Sequence, residues 1–180
     1  MSFINFETGP KPMNQSEPVI NSKKTPIPPG FWKHPVYLLA LGFGTGYVPK
    51  LPGTAGTLIG VLFYFFMQPL NVIIYLAVTS VLFLIGIWLC GKTSHDLGVH
   101  DHSSIVWDEI VGYLITMIMA PTGWLWMVLG FVLFRIFDIC KPWPVSWADR
   151  QASGGLGIML DDLIAAIYAL ILLQITAYML

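Results

Sequence analysis

Long apolar runs without formal charge alternate with short polar or Gly/Pro-rich breaks along most of the chain. Asp, Glu, Lys and Arg are absent from positions 56–90, 110–134 and 163–180, which are rich in Leu, Ile, Val, Phe and Met. Runs of this kind are typical of membrane helices, whereas the helices of a soluble bundle carry polar stripes. The pattern predicts an all-α fold, a multi-pass membrane helical bundle of about five to six helices.

The breaks set the limits of the predicted elements. Gly, Pro and polar clusters divide the apolar part into helices at about 56–68, 71–90, 104–120, 124–140 and 160–180, with a shorter one at about 35–48. Residues 1–31 are instead rich in Pro and Lys and lack the apolar core of a signal peptide. We therefore expect a disordered N-terminal tail over 1–31 and one helical membrane domain over 32–180.

The composition indicates that a lipid bilayer surrounds the helices, and the charge gives no support for nucleic acid as a partner. Hydrophobic residues make up 56% of the chain and charged residues 11%, with a mean hydropathy of +0.71. The net charge of -1 gives no support for nucleic-acid binding, which requires a basic surface. Cys90 and Cys140 each end an apolar run without metal-ligand spacing, so we expect them to pack in the core. No protein partner is predictable from these features.

The basic residues between the helices orient the bundle. Lys92, Lys141 and Arg150 lie in alternate connections, while the breaks at 68–71 and 121–123 carry no charge. Because basic connections face the cytoplasm, the start of the helix after Ser104, the end of the next helix and the start of the last helix should share the cytoplasmic side. The N-terminal tail should lie there too.

Five carboxylates stand at the edges of these apolar runs: Asp108, Glu109, Asp138, Asp161 and Asp162. A carboxylate beside hydrocarbon is costly unless it is solvated, paired or bound to a cation, so a group of them on one side predicts a metal site. Each adjacent pair also fits the first turn of a helix, where acids stabilise the helix dipole and Ser103 or Ser104 would serve as a cap. The sequence leaves both interpretations open.

Arg135, Asp138 and Lys141 recur at intervals of three and so share one face near the end of a predicted helix. One interpretation is a structural Arg135–Asp138 ion pair with a lysine that favours the helix C-terminus. The other is that Asp138 holds a cation while Arg135 or Lys141 contacts phosphate oxygens.

A segment rich in glycine and threonine, residues 42–57, precedes the first long apolar helix. Lys50, Thr54, Gly56 and Thr57 make it a candidate substrate-binding loop, because backbone N–H groups at a helix start can receive an anion. The alternative is close helix packing through small residues.

The polar segment between the second and third long helices contains several His and Asp residues. Its spacing matches no closed zinc pattern, so we discount a zinc site. Asp101 and His102 are candidates for supporting or proton-transfer residues beside the carboxylates.

Four blocks in order carry a family resemblance: LPGTAGT (51–57), GVHDHSSIVWDEIVG (98–112), FRIFDICKPWP (134–144) and GGLGIMLDDLIAA (154–166). Together they resemble the phosphatidylglycerophosphatase A family. The resemblance implies a helical, magnesium-dependent enzyme of the bacterial inner membrane that converts phosphatidylglycerophosphate to phosphatidylglycerol and phosphate in phospholipid biosynthesis. It also points to the five carboxylates, to Arg135 and Lys141, and to Thr54, Gly56 and Thr57.

The division of roles is our own hypothesis. Magnesium would be held by Asp108, Asp138, Asp161 and Asp162, because a hard cation prefers oxygen ligands. Glu109 would activate water, while Arg135 and Lys141 would contact the phosphate of the lipid substrate. An aspartyl-phosphate intermediate stays open, as do two rival functions: a cation or proton carrier, and a phosphatase acting on another lipid phosphate.

Overall fold

The computed structural model describes residues 27–28, 30–99, 102–141, 143 and 154–179. Within these ranges the chain forms helices and no strand, so the all-α prediction is confirmed. Nearly all of the predicted tail over 1–31 lies outside the described residues, and so does Asp101.

Six α-helices follow one another along the described chain. They are α1 (Pro35–Ala40), α2 (Pro52–Met67), α3 (Val72–Leu97), α4 (Trp107–Thr116), α5 (Trp124–Cys140) and α6 (Gly154–Met179), with short 3-10 helices at Phe31–Lys33 and Gly42–Tyr47. The bounds of α5 are those predicted. The predicted 35–48 helix is instead divided, because Phe43 (φ 58°) and Gly44 (φ 98°) adopt left-handed backbone angles that no α-helix continues through.

Two predicted boundaries were wrong where glycines were taken for breaks. Helix α3 continues through Gly91 and Lys92 to Leu97 before Gly98, at φ 67°, ends it. Helix α6 begins at Gly154, well before the predicted position 160. Gly91 and Gly155 permit this, because a Cβ on residue 155 would lie 2.6 Å from the backbone nitrogen of Gly91. The two glycines are therefore contact points between helices and not loop signals.

Helix α4 lies at the centre of the bundle and is shorter than predicted. Eight of its ten residues are buried, and α2, α3, α5 and α6 all pack against it. Trp107 Nε1 donates a 3.1 Å hydrogen bond to the Leu82 carbonyl, and Tyr75 Oη donates one of 2.6 Å to the Leu114 carbonyl. At about 1.5 Å per residue α4 is only roughly 15 Å long, so it places its first turn in the bundle without crossing a bilayer.

Within the described ranges, α3 and α6 are long and apolar enough to cross a membrane. Both have 26 residues. Helix α2 is shorter but also apolar, and it exposes the side chains of Leu58, Leu62, Phe65 and Phe66. Large exposed apolar faces of this kind suit contact with lipid, which supports membrane association.

Candidate active site

A cavity of about 450 Å³ opens where four helices converge. The start of α2, the start of α4, the end of α5 and the third turn of α6 form its walls. Its charged lining consists of Lys50, Asp108, Glu109, Arg135, Asp138, Lys141, Asp161 and Asp162. The five predicted carboxylates and the three predicted basic residues thus lie around one space.

Helix capping does not account for the carboxylates of α6. This helix begins at Gly154, so Asp161 and Asp162 lie beyond its first turn, yet both are buried. Asp108 and Glu109 do lie in the first turn of α4, but the residue before that helix is Val106 and no side chain caps it. Neither Ser103 nor Ser104 is thus the N-cap residue of α4, and a first-turn position does not explain the buried acids of α6.

Three of the carboxylates form a compact group, which we call the carboxylate trio: Asp108, Glu109 and Asp162. Each offers an oxygen atom that lies within 4.8 Å of the other two. Asp108 is 6% exposed and Asp162 is 3% exposed. Glu109 Oε2 and Asp162 Oδ2 are buried and accept no hydrogen bond from the described residues. Buried carboxylates this close repel one another, and a hard divalent cation would neutralise them, so the donor set fits Mg²⁺.

The other two carboxylates each have a basic partner. Arg135 Nη1 donates to Asp138 Oδ2, which matches the ion pair that was one of the two interpretations of the sequence. Lys141 Nζ donates a 2.6 Å hydrogen bond to Asp161 Oδ2 on the facing helix. Lys141 ends α5 in a left-handed conformation (φ 40°, ψ 58°), which turns the chain out of the helix. Two fixed positive charges therefore border the same cavity as the trio.

Gly53 lines this cavity, although sequence reasoning did not select it. A Cβ on residue 53 would overlap Oε1 of Glu109 and would lie 3.1 Å from Nη1 of Arg135. Gly53 also lies in the first turn of α2, where backbone N–H groups lack helical partners and attract anions. The sequence feature that could have pointed to Gly53 is the Pro52-Gly53 pair, because proline favours the first position of a helix.

The predicted Gly-rich loop is divided by the structure. Lys50 lines the cavity, but Thr54, Gly56 and Thr57 are not among the described residues that line it. Gly56 packs against Val106, and Thr57 Oγ1 donates a 2.8 Å hydrogen bond to the Gly53 carbonyl of its own helix. For Gly56, the geometry matches the close-packing alternative.

His102 is 2% exposed and is not among the described residues that line the cavity of the five carboxylates. Its Nδ1 accepts a 3.2 Å hydrogen bond from the backbone N–H of Ser104. It lines an adjoining cavity of about 490 Å³ together with Lys50 and Ser103. Ser103 lines both cavities and was not predicted as a site residue.

Comparison with known proteins identifies the family to which this site belongs. The family model described as Phosphatidylglycerophosphatase A matches residues 38–177, a range that includes all four sequence blocks. The chain belongs to the phosphatidylglycerophosphatase A family. Membership makes it a phosphatase.

Curated members of the phosphatidylglycerophosphatase A family are similar over most of their length. The Phosphatidylglycerophosphatase A of Escherichia coli (strain K12) is 48% identical over 135 residues, which cover 74% of this chain and 78% of that protein. The one from Haemophilus influenzae (strain ATCC 51907 / DSM 11121 / KW20 / Rd) is 47% identical over 150 residues, covering 81% and 90%.

A third relative carries a different name. This protein of Bacteroides thetaiotaomicron, provisionally named a phosphatidylinositol-3-phosphatase, is 38% identical over 149 residues, covering 78% of this chain and 92% of its own length. No solved structure matches the chain. The relatives thus share phosphatase names but differ in the lipid named.

Proposed function

We propose that this protein hydrolyses the terminal phosphomonoester of phosphatidylglycerophosphate, releasing phosphatidylglycerol and phosphate, with Mg²⁺ as cofactor. The observation that carries the proposal is the carboxylate trio beside two basic side chains in one cavity. An anionic phosphate needs positive charge on its oxygens, and an acidic site can supply it only through a bound cation and basic neighbours.

Asp108 and Asp162 are the residues that would hold the metal. Mg²⁺ is usually bound through one or two carboxylates, with water and substrate phosphate as further ligands, so this pair is sufficient. When bound, Mg²⁺ supplies charge neutralisation at the phosphate and makes a water molecule more acidic. Asp138 and Asp161, which were expected as ligands, are held by Arg135 and Lys141. In the proposal they orient those two basic groups.

Arg135 and Lys141 bind the phosphoryl oxygens in this mechanism. Charge-assisted hydrogen bonds to phosphate are stronger than neutral ones, and a guanidinium offers a planar pair of donors. The free N–H groups at the start of α2, next to Gly53, add partial positive charge on the same side of the cavity.

Glu109 acts as the general base. Its Oε2, which has no hydrogen-bond partner among the described residues, takes the proton from the attacking water. The water oxygen forms the new bond to phosphorus, and the bond from phosphorus to the glycerol oxygen breaks. The glycerol oxygen leaves with the bonding electrons and takes up a proton from solvent water to give phosphatidylglycerol, and Glu109 then releases the proton it accepted to solvent.

Membrane placement completes the proposal. We infer that the cavity faces the cytoplasmic side of the bacterial inner membrane, because Lys141 lines it and basic residues between membrane helices favour the cytoplasm. Leu51 and Ile139 line the same cavity and are largely exposed, so apolar surface continues from its rim. A phospholipid headgroup reaches the trio there while its acyl chains stay in the bilayer.

The direct test is phosphate release by the purified full-length protein in detergent–lipid mixed micelles. Phosphatidylglycerophosphate, phosphatidate and phosphatidylinositol 3-phosphate are each supplied with Mg²⁺ or with a chelator. We expect Mg²⁺-dependent release that is fastest with phosphatidylglycerophosphate, and none from the D162N variant. Faster release from phosphatidylinositol 3-phosphate would favour the alternative suggested by the Bacteroides relative's name. Full activity in the chelator would contradict the metal assignment.

A further inference from the structure

The catalytic cavity has a neighbour that the hydrolytic chemistry does not use. The adjoining cavity, of about 490 Å³, shares Lys50, Pro52 and Ser103 with the catalytic cavity. The residues that complete its lining include Tyr47 and Ser104. Lys50 therefore stands at the boundary between two spaces, each large enough for part of a lipid headgroup.

The two spaces differ in charge. Five carboxylates line the catalytic cavity, whereas Lys50 is the sole Asp, Glu, Lys or Arg among the described residues that line the adjoining one. Tyr47, Ser103 and Ser104, each of which carries a hydroxyl group, also line it. A space with one positive charge and several hydroxyls suits an anion joined to a polyol.

Lys50 occupies this boundary at a conformational cost. Its φ of 73° is left-handed, a region that glycine and asparagine enter easily and that costs other residues about 1–2 kcal/mol. A long basic side chain is thus kept at a backbone position that favours a small residue. Strained residues of this kind persist where the surrounding structure or the function requires them.

Apolar surface continues beyond the adjoining cavity. Tyr47 also lines a groove of about 300 Å³ with Leu38, Phe43 and Gly44. Phe43 and Tyr47 are both exposed there. The order of spaces is therefore acidic, then weakly basic with hydroxyls, then apolar, which is also the order of chemical groups from the end of a headgroup to its acyl chains.

We propose that Lys50 binds the phosphodiester of the substrate, while the cleaved phosphomonoester lies in the catalytic cavity. The inference rests on the proposed function, because phosphatidylglycerophosphate carries these two phosphates on one glycerol unit. The glycerol spans the boundary and meets the Ser103 hydroxyl. Lys50 thereby favours lipids with a second, internal phosphate over phosphatidate, whose single phosphate would leave Lys50 without a ligand.

Inhibition by the two reaction products tests the phosphodiester position at Lys50 separately from the phosphomonoester position in the catalytic cavity. Phosphatidylglycerol contains only the phosphodiester, and inorganic phosphate stands for only the monoester. Inhibition constants for both are measured with phosphatidylglycerophosphate as substrate in mixed micelles for wild type, K50N, K50R and K92M. Asparagine tolerates the left-handed backbone and arginine keeps the charge. Lys92 pairs with Asp96 and is not among the described residues lining either cavity, so K92M controls for surface charge.

We expect K50N to raise the inhibition constant of phosphatidylglycerol by about tenfold and to leave that of inorganic phosphate within about twofold. K50R should restore most of the loss, and K92M should resemble wild type. Equal weakening of both inhibitors in K50N, or no change in either, would overturn the assignment while the proposed function stands. A wild-type protein that releases no phosphate from phosphatidylglycerophosphate would overturn both.

Discussion

Gly53 and Glu109 lie against each other across the interface between α2 and α4, so closely that a Cβ on residue 53 would overlap Oε1 of the glutamate. We expect G53A to displace Glu109 and to lower kcat by roughly 100-fold, because misplacement of a catalytic group by about 1 Å has an effect of this size. The measurement is kcat for phosphate release, together with thermal unfolding to show that the fold is kept.

Gly60 provides the matched control on the same helix. A Cβ there would lie 3.0 Å from the Ile110 carbonyl oxygen and 3.1 Å from Cβ of Tyr113, in packed core away from the cavity. G60A should lower the unfolding temperature but keep the activity of the folded fraction. If G53A kept wild-type kcat, Gly53 would be a packing residue only.

The gathering of the five carboxylates was predictable because chain direction alternates between helices. Once the basic connections assign a side, the acids at helix ends must fall on that side, and the structure indeed places them around one cavity. Which acids pair with Arg135 and Lys141, and which form the trio, depends on distances across helices. Those distances follow from packing at α4 and cannot be read from local spacing.

Glycines in this chain have two structural roles that the sequence alone does not distinguish. At Gly98, with φ 67°, it ends a helix as a turn signal predicts. At Gly91, Gly155 and Gly53 it lies inside a helix, and the requirement comes from a neighbouring element that a Cβ would contact. This is why the ends of α3 and α6 were misplaced and why Gly53 was overlooked.

Asp162 should be required for catalysis, but in the absence of metal it should lower the stability of the fold. It is 3% exposed, and it lies within the trio next to two other carboxylates. D162N replaces one of three crowded, buried carboxylates with a neutral amide that needs no cation beside it, so we expect turnover to be lost and the unfolding temperature of the chelator-treated protein to rise by about 2–4 °C. Added Mg²⁺ should stabilise wild type and not D162N. Near-wild-type activity in D162N would remove Asp162 from the metal site.

Measuring turnover and Mg²⁺ binding separately shows whether Glu109 is the general base or a metal ligand. E109Q keeps the size of the side chain but cannot accept a proton from water, so catalysis should fall by a factor of about 10²–10⁴. Mg²⁺ should still stabilise the protein against thermal unfolding at the concentrations that stabilise wild type. D108N serves as the comparison, because loss of a proposed ligand should weaken that stabilisation. If E109Q weakened it as much as D108N, Glu109 would be a ligand and not the base.

Lys141 should act on phosphate affinity through its position between Asp161 and the cavity. Its Nζ lies 2.6 Å from Asp161 Oδ2, and both residues line the catalytic space. K141M should raise the inhibition constant of inorganic phosphate by about tenfold, because a charge-assisted hydrogen bond to phosphate is lost. The loss of positive charge beside Asp161 would also disturb the fold, so the K141M/D161N double variant is measured alongside.

The double variant removes both charges of the pair and so separates the effect on phosphate from the effect on the fold. If Lys141 binds phosphate directly, the double variant should regain thermal stability but keep the weak phosphate inhibition of K141M. If inhibition returned to the wild-type value together with stability, Lys141 would serve only to neutralise Asp161. Phosphate binding in the cavity would then depend on Arg135 and the start of α2. In that case R135K should weaken inhibition by inorganic phosphate more than K141M does, because an ammonium cannot offer the paired donors of a guanidinium.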